Sequence, residues 1–237
     1  MKILIIIPAY NEEKNIKKTV ERINNLKLLK KYILDYVVIN DGSSDNTLET
    51  CRKNKYNVID LINNLGIGGA VQTGYKYAYF NKYDVAIQFD GDGQHDENYI
   101  INLLEQIEKG YDLVIGSRFI SNISDFTSTR ARKAGIKILS FFIKVFTGEK
   151  IYDTTSGFRA ANKSVIKYFA FNYPSEYPEP SSTVDIIKLG LKIKEIPVNM
   201  YERAFGTSSI SVYKSFYYMF SVCLSIIFSS LLKRGKK

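Results

Sequence analysis

The stretch Val85-Ala86-Ile87-Gln88-Phe89-Asp90-Gly91-Asp92-Gly93-Gln94-His95 joins an apolar run to a polar turn with two carboxylates. The run 85–89 predicts a buried β-strand, so Asp90 and Asp92 follow the end of that strand. Glycines on either side of Asp92 allow a sharp turn and the close approach of a ligand. Oxygen ligands there suit a hard cation such as Mg²⁺ or Mn²⁺, which in turn can hold a diphosphate. Asp and Gly are also common turn formers, so the stretch alone leaves a plain turn open.

Apolar runs alternate with helical patterns through the first half of the chain. Strands are predicted at 3–7, 36–40, 57–61, 85–89 and 113–117, and helices at 15–26, 45–54, 68–79 and 98–109. This alternation predicts an α/β fold with a mostly parallel, Rossmann-like sheet that helices cover on both faces. In the second half of the chain we predict helices at 136–146 and 182–189. We also predict a strand at 191–199, with Pro197 near an edge or end.

Composition limits the domain organisation and the partners. The 237 residues suit one large domain, predicted here as 1–210, with a C-terminal appendage at 211–237. The net charge of +9 indicates an anionic partner such as a nucleic acid, a nucleotide or a membrane surface. Cys51 and Cys223 lie in no metal-binding spacing and fit a reducing, cytoplasmic compartment. The apolar run 3–7 is too short for a signal peptide.

Four polar motifs follow the first four predicted strands. Ligands of open parallel sheets bind beyond the carboxyl ends of the strands, so we expect the motifs to converge there. They are Pro8-Ala9-Tyr10-Asn11-Glu12-Glu13, Asp41-Gly42-Ser43-Ser44-Asp45, Asn63-Asn64-Leu65-Gly66-Ile67-Gly68-Gly69-Ala70 and Asp90-Gly91-Asp92. Taken singly, the second fits a turn with a helix cap. The glycines at 66–69 fit either a tight turn or a set of N–H donors for a phosphate.

In this order the motifs resemble a family 2 glycosyltransferase of the GT-A fold. The resemblance continues at Gly116-Ser117-Arg118, Thr155-Ser156-Gly157-Phe158-Arg159 and Arg203-Ala204-Phe205-Gly206-Thr207-Ser208-Ser209. These segments are similar to those of polyprenyl-phosphate and dolichol-phosphate sugar synthases, above all the bacterial enzymes that make undecaprenyl-phosphate N-acetylglucosamine or glucose. The resemblance implies an inverting transfer from a nucleotide-diphosphate sugar, expected to be UDP-GlcNAc or UDP-Glc, with Mg²⁺ or Mn²⁺. Such a product serves the modification of cell-surface polysaccharide.

The resemblance also implies roles for individual residues. Asp90 and Asp92 would bind the metal–diphosphate, and Gln94 would touch the ribose–phosphate or the donor sugar. Arg118 would lie near the sugar or the acceptor. The residues expected to line the nucleotide-sugar pocket are Pro8, Ala9, Tyr10, Glu12, Asp41 (at the base) and Gly68. The residues expected to bind an acceptor phosphate are Arg130, Arg159 and Arg203. His95, the only histidine, is open between a metal ligand, a phosphate contact and a surface residue.

The acceptor decides whether a base is needed. A sugar hydroxyl must lose a proton and requires a general base, whereas a phosphate is already anionic and requires cations. The predicted acidic loop at 176–180 and the helix after it offer three candidate bases: Glu176, Glu179 and Asp185. This loop departs from the dolichol-phosphate mannose synthase pattern. Cations lie at Arg130, Arg132, Lys133, Lys137, Lys144, Arg159 and Arg203.

Two segments favour a membrane surface. The helix at 136–146 combines a Phe-rich face with a Lys face, as interfacial helices do, although a core-facing helix is the alternative. The segment 216–232 has 17 uncharged residues with a serine every fourth position, which favours an in-plane helix or a partner contact over a membrane span. The basic tail at 233–237 suits the anionic cytoplasmic leaflet.

We therefore expect transfer to a polyprenyl phosphate at the cytoplasmic face of the cell membrane. A small membrane-protein partner or a homo-oligomer is a further expectation, and no nucleic-acid motif occurs. One alternative is transfer to a hydroxyl of a lipid-linked saccharide, with Glu179 or Asp185 as base. Another is a nucleotide-sugar-binding protein without turnover, against which the Asp90/Asp92 pair argues.

Overall fold

A computed structural model describes residues 1–26, 31–120 and 130–201, except for the side chains of residues 130–132. Its strands are β1 (Lys2–Ala9), β2 (Ile33–Asn40), β3 (Val58–Asp60), β4 (Val85–Gln88), β5 (Leu113–Ser117), β6 (Arg159–Asn162) and β7 (Ile193–Pro197). Its helices are α1 (Ile16–Asn24), α2 (Thr47–Lys53), α3 (Gly66–Phe80), α4 (Tyr99–Glu108), α5 (Arg130–Thr147), α6 (Lys163–Asn172) and α7 (Pro178–Lys188). All the strands and helices predicted between residues 3 and 199 are present, and β6 and α6 are additional.

The seven strands form one sheet in the order β3-β2-β1-β4-β6-β5-β7. β1 pairs in parallel with β2 and β4, β2 pairs with β3, and β5 pairs with β7. β6 runs antiparallel to both of its neighbours, β4 and β5. The predicted α/β fold with a mostly parallel sheet is confirmed, and β6 is the exception within it.

β1 illustrates how the sheet buries both of its faces. Ile3, Ile5 and Ile7 pack in one core with residues of α1 and α4, and Leu4 and Ile6 pack in another with residues of α3 and α6. All five side chains are fully buried, and each contributes about 1.5–3 kcal/mol relative to an exposed position. Successive side chains point to opposite faces, so an unbroken apolar strand requires helices on both.

Gly74 on α3 allows the helix to lie close to β1. A Cβ atom at this position would overlap Cγ2 of the buried Ile6. We expect Gly74→Ala to destabilise the fold by about 1–3 kcal/mol, because overpacking outweighs the higher helix propensity of alanine. A lower urea unfolding midpoint would show this effect. Gln72→Ala on the same helix is the control and should leave the midpoint nearly unchanged; an unchanged midpoint in Gly74→Ala would contradict the close packing.

Helix α7 begins earlier than the sequence predicts. Pro178 is its first residue, so Glu179 and Pro180 lie in its first turn and not in a loop. The predicted loop at 176–180 is wrong in this part, because the fixed φ of proline suits the first turn of a helix. Tyr177, directly before the helix, has a left-handed φ of 50°. This turn sets the direction from which Glu179 approaches the sheet.

Helix α5 has one buried and one exposed apolar face. Leu139 and Ile143 pack in a small core with Val184 of α7. On the exposed side, Phe141 is 64% exposed and Val145 is 59% exposed. The exposed lysines of the helix are Lys133, Lys137 and Lys144. The core-facing interpretation is therefore right for one face of this helix, and the membrane-interface interpretation stays a prediction for its exposed face.

No helix within the described ranges is long and apolar enough to cross a bilayer.

Candidate active site

Polar loops meet at the carboxyl edge of the parallel strands. The Gly91 N–H donates to the Pro8 carbonyl at 3.2 Å, and the Asp41 N–H donates to the Ala9 carbonyl at 2.9 Å. The Asp41 carboxylate accepts a hydrogen bond from the Leu65 N–H at 2.7 Å. These bonds join the ends of β1, β2 and β4 to the loop before α3, so the structure brings the four strand-end motifs together.

The residues expected at the nucleotide differ in the solvent exposure of their side chains. Tyr10 is 47% exposed, whereas Ala9 is buried and Asp41 is only 3% exposed. Burial raises the pKa of the Asp41 carboxyl above its ordinary value, although the N–H groups of Leu65 and Gly66 oppose this. Pro8 is buried as well. Tyr10 therefore offers an open aromatic surface here, while Pro8 and Ala9 contribute backbone.

Glu12 and Gly68 shape the same edge in different ways. The Glu12 N–H donates to the Thr47 hydroxyl at 2.8 Å, and its carboxylate accepts from Asn15 at 2.7 Å. The loop after β1 is thus tied to the start of α2. A Cβ atom on Gly68 would overlap the carbonyl oxygens of Pro174 and Ser175. Only glycine permits this contact between the start of α3 and the segment after α6.

Helix α1 holds the turn that carries Asp92. The Thr19 hydroxyl donates to the Gly91 carbonyl at 3.2 Å. The Arg22 guanidinium donates to the carbonyls of Gly93 and His95 at 3.0 and 2.6 Å. These three bonds fix backbone oxygens on both sides of Asp92. The turn is therefore preorganised by a helix that is distant in sequence.

The Asp90 carboxylate is held from two sides. Gln88 Nε2 donates to Oδ1 at 3.1 Å, and His95 Nε2 lies 3.1 Å from Oδ2. Burial raises the pKa of Asp90, but the hydrogen bonds from His95 and Gln88 and the charge of Arg118 outweigh it and place the pKa below its ordinary value. The Asp90 side chain still exposes 31% of its surface. Asp90 is thus an oriented and accessible carboxylate whose pKa is held below its ordinary value.

Arg118 is joined to Asp153 in a buried ion pair. Its Nε and Nη2 donate to the two carboxylate oxygens of Asp153, each at 2.7 Å, and its backbone N–H adds a third bond at 3.0 Å. Arg118 is 5% exposed and Asp153 is fully buried. The guanidinium also donates to the Thr155 hydroxyl at 2.9 Å. The arginine therefore has a fixed orientation, and its charge acts on Asp90.

Arg159 is placed differently from its expected position at an acceptor phosphate. Its side chain is fully buried. The guanidinium donates to the carbonyls of Ser156 and Glu179 at 2.6 and 2.9 Å and to the Thr183 hydroxyl at 3.1 Å. These acceptors come from the segment before β6 and from the first turns of α7. In this arrangement Arg159 fastens α7 to the sheet, and its donors are committed to protein oxygens.

The candidate bases on α7 are separated along the helix. Glu179 lies in the first turn, where burial raises the pKa of its carboxyl and the charge of Arg159 opposes this, while the charge of Asp90 adds to the rise. Asp185 is six residues further on, which corresponds to about 9 Å along the axis. Glu176 is exposed. Glu179 is therefore a buried carboxyl close enough to Asp90 for the charge of Asp90 to raise its pKa.

The Gln94 region is joined to the end of the described chain. The Tyr201 N–H donates to the Gln94 carbonyl at 2.7 Å, and His95 forms an antiparallel bridge with Met200. The Gln94 side chain donates to the Tyr201 carbonyl at 3.4 Å. The Tyr201 ring lies 4.6 Å from the Arg22 guanidinium. The turn after β4 is thus held on both sides.

Several expected features lie outside the described residues. Arg203, the segment 216–232 and the tail at 233–237 belong to this group, as does the predicted boundary at 210. Arg130 is the first residue of α5, but its side chain is not described. Their roles stay predictions.

The donor set of the turn fits a divalent cation that shares its ligands with a substrate. Asp90 and Asp92 supply hard carboxylate oxygens, which Mg²⁺ and Mn²⁺ prefer. Across the described ranges, no three His, Cys, Asp or Glu side chains cluster as a protein-only metal site. Mg²⁺ typically takes one or two carboxylates and completes its shell with substrate phosphates and water. Two carboxylates at an open edge match that pattern.

Comparison with known proteins agrees with this geometry. The model of the family "Glycosyl transferase family 2" matches residues 4–169, which contain the four strand-end motifs, Arg118 and Arg159. The chain belongs to glycosyltransferase family 2.

Two curated relatives cover nearly all of this glycosyltransferase. It is 34% identical to UDP-N-acetylglucosamine–dolichyl-phosphate N-acetylglucosaminyltransferase of Methanococcus voltae, with 91% of this chain and 93% of the relative aligned. It is 28% identical to polyprenol monophosphomannose synthase of Mycolicibacterium smegmatis, with 88% and 80% aligned.

The solved structures support the fold of this glycosyltransferase. The structure of glucosyl-3-phosphoglycerate synthase from Mycobacterium tuberculosis, in complex with Mn²⁺, UDP and phosphoglyceric acid, superposes with a TM-score of 0.73. The match covers 99% of this chain and 80% of that chain at 16% identity. At this identity the similarity establishes the shared architecture.

Sequence reasoning missed several residues of the glycosyltransferase site. Gln88, Asp153 and Gly157 all lie within reach of Asp90 or Arg118, yet none was a candidate. Gln88 carried a signal, because an amide within an apolar central strand has to find a hydrogen-bond partner. Thr19 and Arg22 carried no such signal, because they contact the turn from a helix some 70 residues away in sequence.

Proposed function

We propose that this glycosyltransferase moves a sugar from a UDP-sugar to the phosphate of a polyprenyl phosphate and inverts the anomeric centre. The observation that carries the proposal is the oriented Asp90 carboxylate beside Asp92, at the edge of the sheet where the four strand-end motifs meet. Two relatives named for lipid-phosphate acceptors support the acceptor class. UDP-GlcNAc or UDP-Glc is the proposed donor.

The donor half of the reaction is assigned to the edge of β1, β2 and β4. Tyr10 and Asp41 are proposed at the base, and Gln94 is proposed at the ribose–phosphate or the sugar. Asp90 and Asp92 are proposed to hold Mg²⁺ or Mn²⁺ with the diphosphate. When bound, the cation supplies positive charge that stabilises the departing diphosphate.

The acceptor half needs cations more than a base. A phosphate monoester carries about −1.5 to −2 charges at neutral pH, so one of its oxygens can attack the anomeric carbon without losing a proton. Arg118 is proposed as one such cation, because its charge acts on Asp90. Its bonds to Asp153 hold the guanidinium in place during that approach. Arg130 and Arg203 are proposed as further phosphate contacts.

A membrane-surface location fits the exposed face of α5. Ile138 is 43% exposed, and Phe141 and Val145 are exposed more strongly. Exposed lysines at 137 and 144 are well suited to anionic lipid headgroups. We propose peripheral attachment of this face to the cytoplasmic leaflet, where a polyprenyl phosphate presents its headgroup.

A second candidate is transfer to a hydroxyl of a lipid-linked saccharide. The pKa of Glu179, which burial raises above its ordinary value, favours this candidate, because a carboxylate with a higher pKa is a stronger base. In that case Glu179 would take the proton of the attacking hydroxyl.

An acceptor comparison tests the proposal. The full chain is incubated with radiolabelled UDP-GlcNAc or UDP-Glc, Mn²⁺ and undecaprenyl or dolichyl phosphate in detergent, and transfer into the lipid fraction is measured. We expect label in polyprenyl-phosphate sugar with one of the two donors. The matched control is the same polyprenol without its phosphate, which should receive none. Transfer only to a lipid-linked saccharide would support the second candidate, and UDP-sugar binding without any transfer would contradict both.

A further inference from the structure

The Asp90 carboxylate contacts buried side chains on the side that faces away from the open carboxyl edge of the sheet. Gln88 is fully buried and donates to Oδ1, while His95 is 2% exposed and faces Oδ2. A Cβ atom on Gly157 would lie 2.7 Å from Gln88 Nε2 and 2.8 Å from Asp90 Oδ2. The absence of a side chain at 157 therefore leaves just enough room for the Gln88–Asp90 pair. We call Gln88, Asp90, His95 and Gly157 the Asp90 brace.

The His95 ring is held by aromatic packing. It stacks on Phe158 with a centroid distance of 4.9 Å and an interplanar angle of 24°, and it meets Phe89 edge-on at 5.4 Å. His95 Nε2 lies 3.1 Å from Asp90 Oδ2, and a carboxylate oxygen accepts hydrogen bonds, so we assign the ring proton to Nε2. Nε2 therefore donates to Asp90, and its lone pair is not free to bind a metal. Nδ1 is buried and has no hydrogen-bond partner in the described part of the chain.

The Gln88 amide is oriented by its other end. The Tyr173 hydroxyl lies 3.4 Å from Gln88 Oε1 and donates to it. This contact turns Nε2 toward Asp90, because the oxygen end of the amide is already occupied. Tyr173 itself is nearly buried at the end of α6. The orientation of Asp90 thus depends on β4, on the turn after it and on the segments around β6.

We propose that Gln88 and His95 are positioning residues that orient the Asp90 carboxylate toward a divalent cation, and that His95 acts through Asp90 instead of binding the metal. Gln88 donates to one lone pair of Oδ1, and His95 donates to one lone pair of Oδ2. Each oxygen therefore keeps a second lone pair that points in another direction. Groups that orient a metal ligand typically change metal affinity or activity by about 10–100-fold when they are removed. The inference rests on the proposed function, because orientation of Asp90 matters only if Asp90 holds the cation.

Mn²⁺ binding in the presence of UDP tests the brace without any transfer reaction. Free Mn²⁺ is followed by electron paramagnetic resonance in the full-length chain and in Gln88→Met, His95→Phe and His95→Gln. We expect about 10–100-fold weaker Mn²⁺ binding in Gln88→Met and His95→Phe. His95→Gln should recover part of the affinity, because its amide can donate to Asp90. Gln106→Met on α4 is the matched control and should bind like the wild type.

A second readout separates a positioning role from direct ligation. Electron spin echo spectra of the wild-type Mn²⁺–UDP complex should show no coupling to an imidazole nitrogen. Such a coupling would overturn the proposal, and so would unchanged Mn²⁺ affinity in both Gln88→Met and His95→Phe. If His95→Phe fails to fold, as its unfolding midpoint would show, Gln88→Met and His95→Gln carry the test. A wild-type chain that binds UDP but no Mn²⁺ would overturn the metal part of the proposed function and the brace with it.

Discussion

Asp92→Asn is expected to lower the turnover number by about a hundredfold or more while leaving the fold intact. Asp92 Oδ1 accepts the Gln94 N–H at 3.0 Å, and the oxygen of asparagine can keep this bond. The substitution therefore removes a negative charge and leaves the turn in place. A cation that stabilises a departing diphosphate is worth several kcal/mol, and each 1.36 kcal/mol corresponds to a tenfold change in rate.

Steady-state transfer at saturating UDP-sugar measures this effect. Asp96→Asn is the matched control, because Asp96 lies on the same turn and caps the Asn98 N–H, which asparagine can also do. We expect its rate to stay within about twofold of the wild type, in the range of an ordinary surface change. A fully active Asp92→Asn would exclude Asp92 from the metal site.

Arg118→Met is expected to have the largest effect on stability, a loss of about 3–5 kcal/mol. The reason is that Asp153 would be left as a fully buried carboxylate without its bidentate partner. Total stabilities of domains are only about 5–15 kcal/mol, so the unfolding midpoint in urea should fall steeply.

The double variant Arg118→Met with Asp153→Leu separates the charge effect from the packing effect. Replacement of a whole buried ion pair by apolar residues is often nearly neutral, so the double variant should recover much of the lost midpoint. Lys17→Met is the control for an ordinary ion pair, because Lys17 and Glu21 are exposed and 3.8 Å apart. A double variant as unstable as Arg118→Met alone would contradict the buried-charge explanation.

The strands of the first half were predictable because each contains a short run of apolar, mostly β-branched residues between helical patterns. β6 lacked that signal: Arg159-Ala160-Ala161-Asn162 is short, begins with arginine and shows no β-branched residue. Its antiparallel pairing also contradicts the parallel pattern of the strands before it. Helix α6 did carry a pattern, since Val165, Ile166 and Phe169 recur on one buried face.

Only those residues of the candidate site that lie within the sequence motifs could be predicted. Asp90 and Asp92 could be placed at a strand end from local sequence alone. Their surroundings depend on pairing between β4 and β6, which aligns Gln88 with Arg159 across about 70 residues of chain. A single sequence contains no information on that register. For the same reason Arg159 was expected to face a phosphate, although its alignment with Gln88 puts it in the interior.

The position of β6 between β4 and β5 has a consequence for the order in which the protein folds. β1 to β4 can pair among themselves from residues 2–88, whereas β5 has no neighbour in the sheet until β6 or β7 has been synthesised. Pairings between distant parts of a chain form late, because the loop between them must first be closed. We therefore expect an early parallel half-sheet in which the turn after β4 is already exposed. His95 in that turn gains its stacking partner Phe158 only when the second half folds onto β4, so we expect folding of the second half to complete the site.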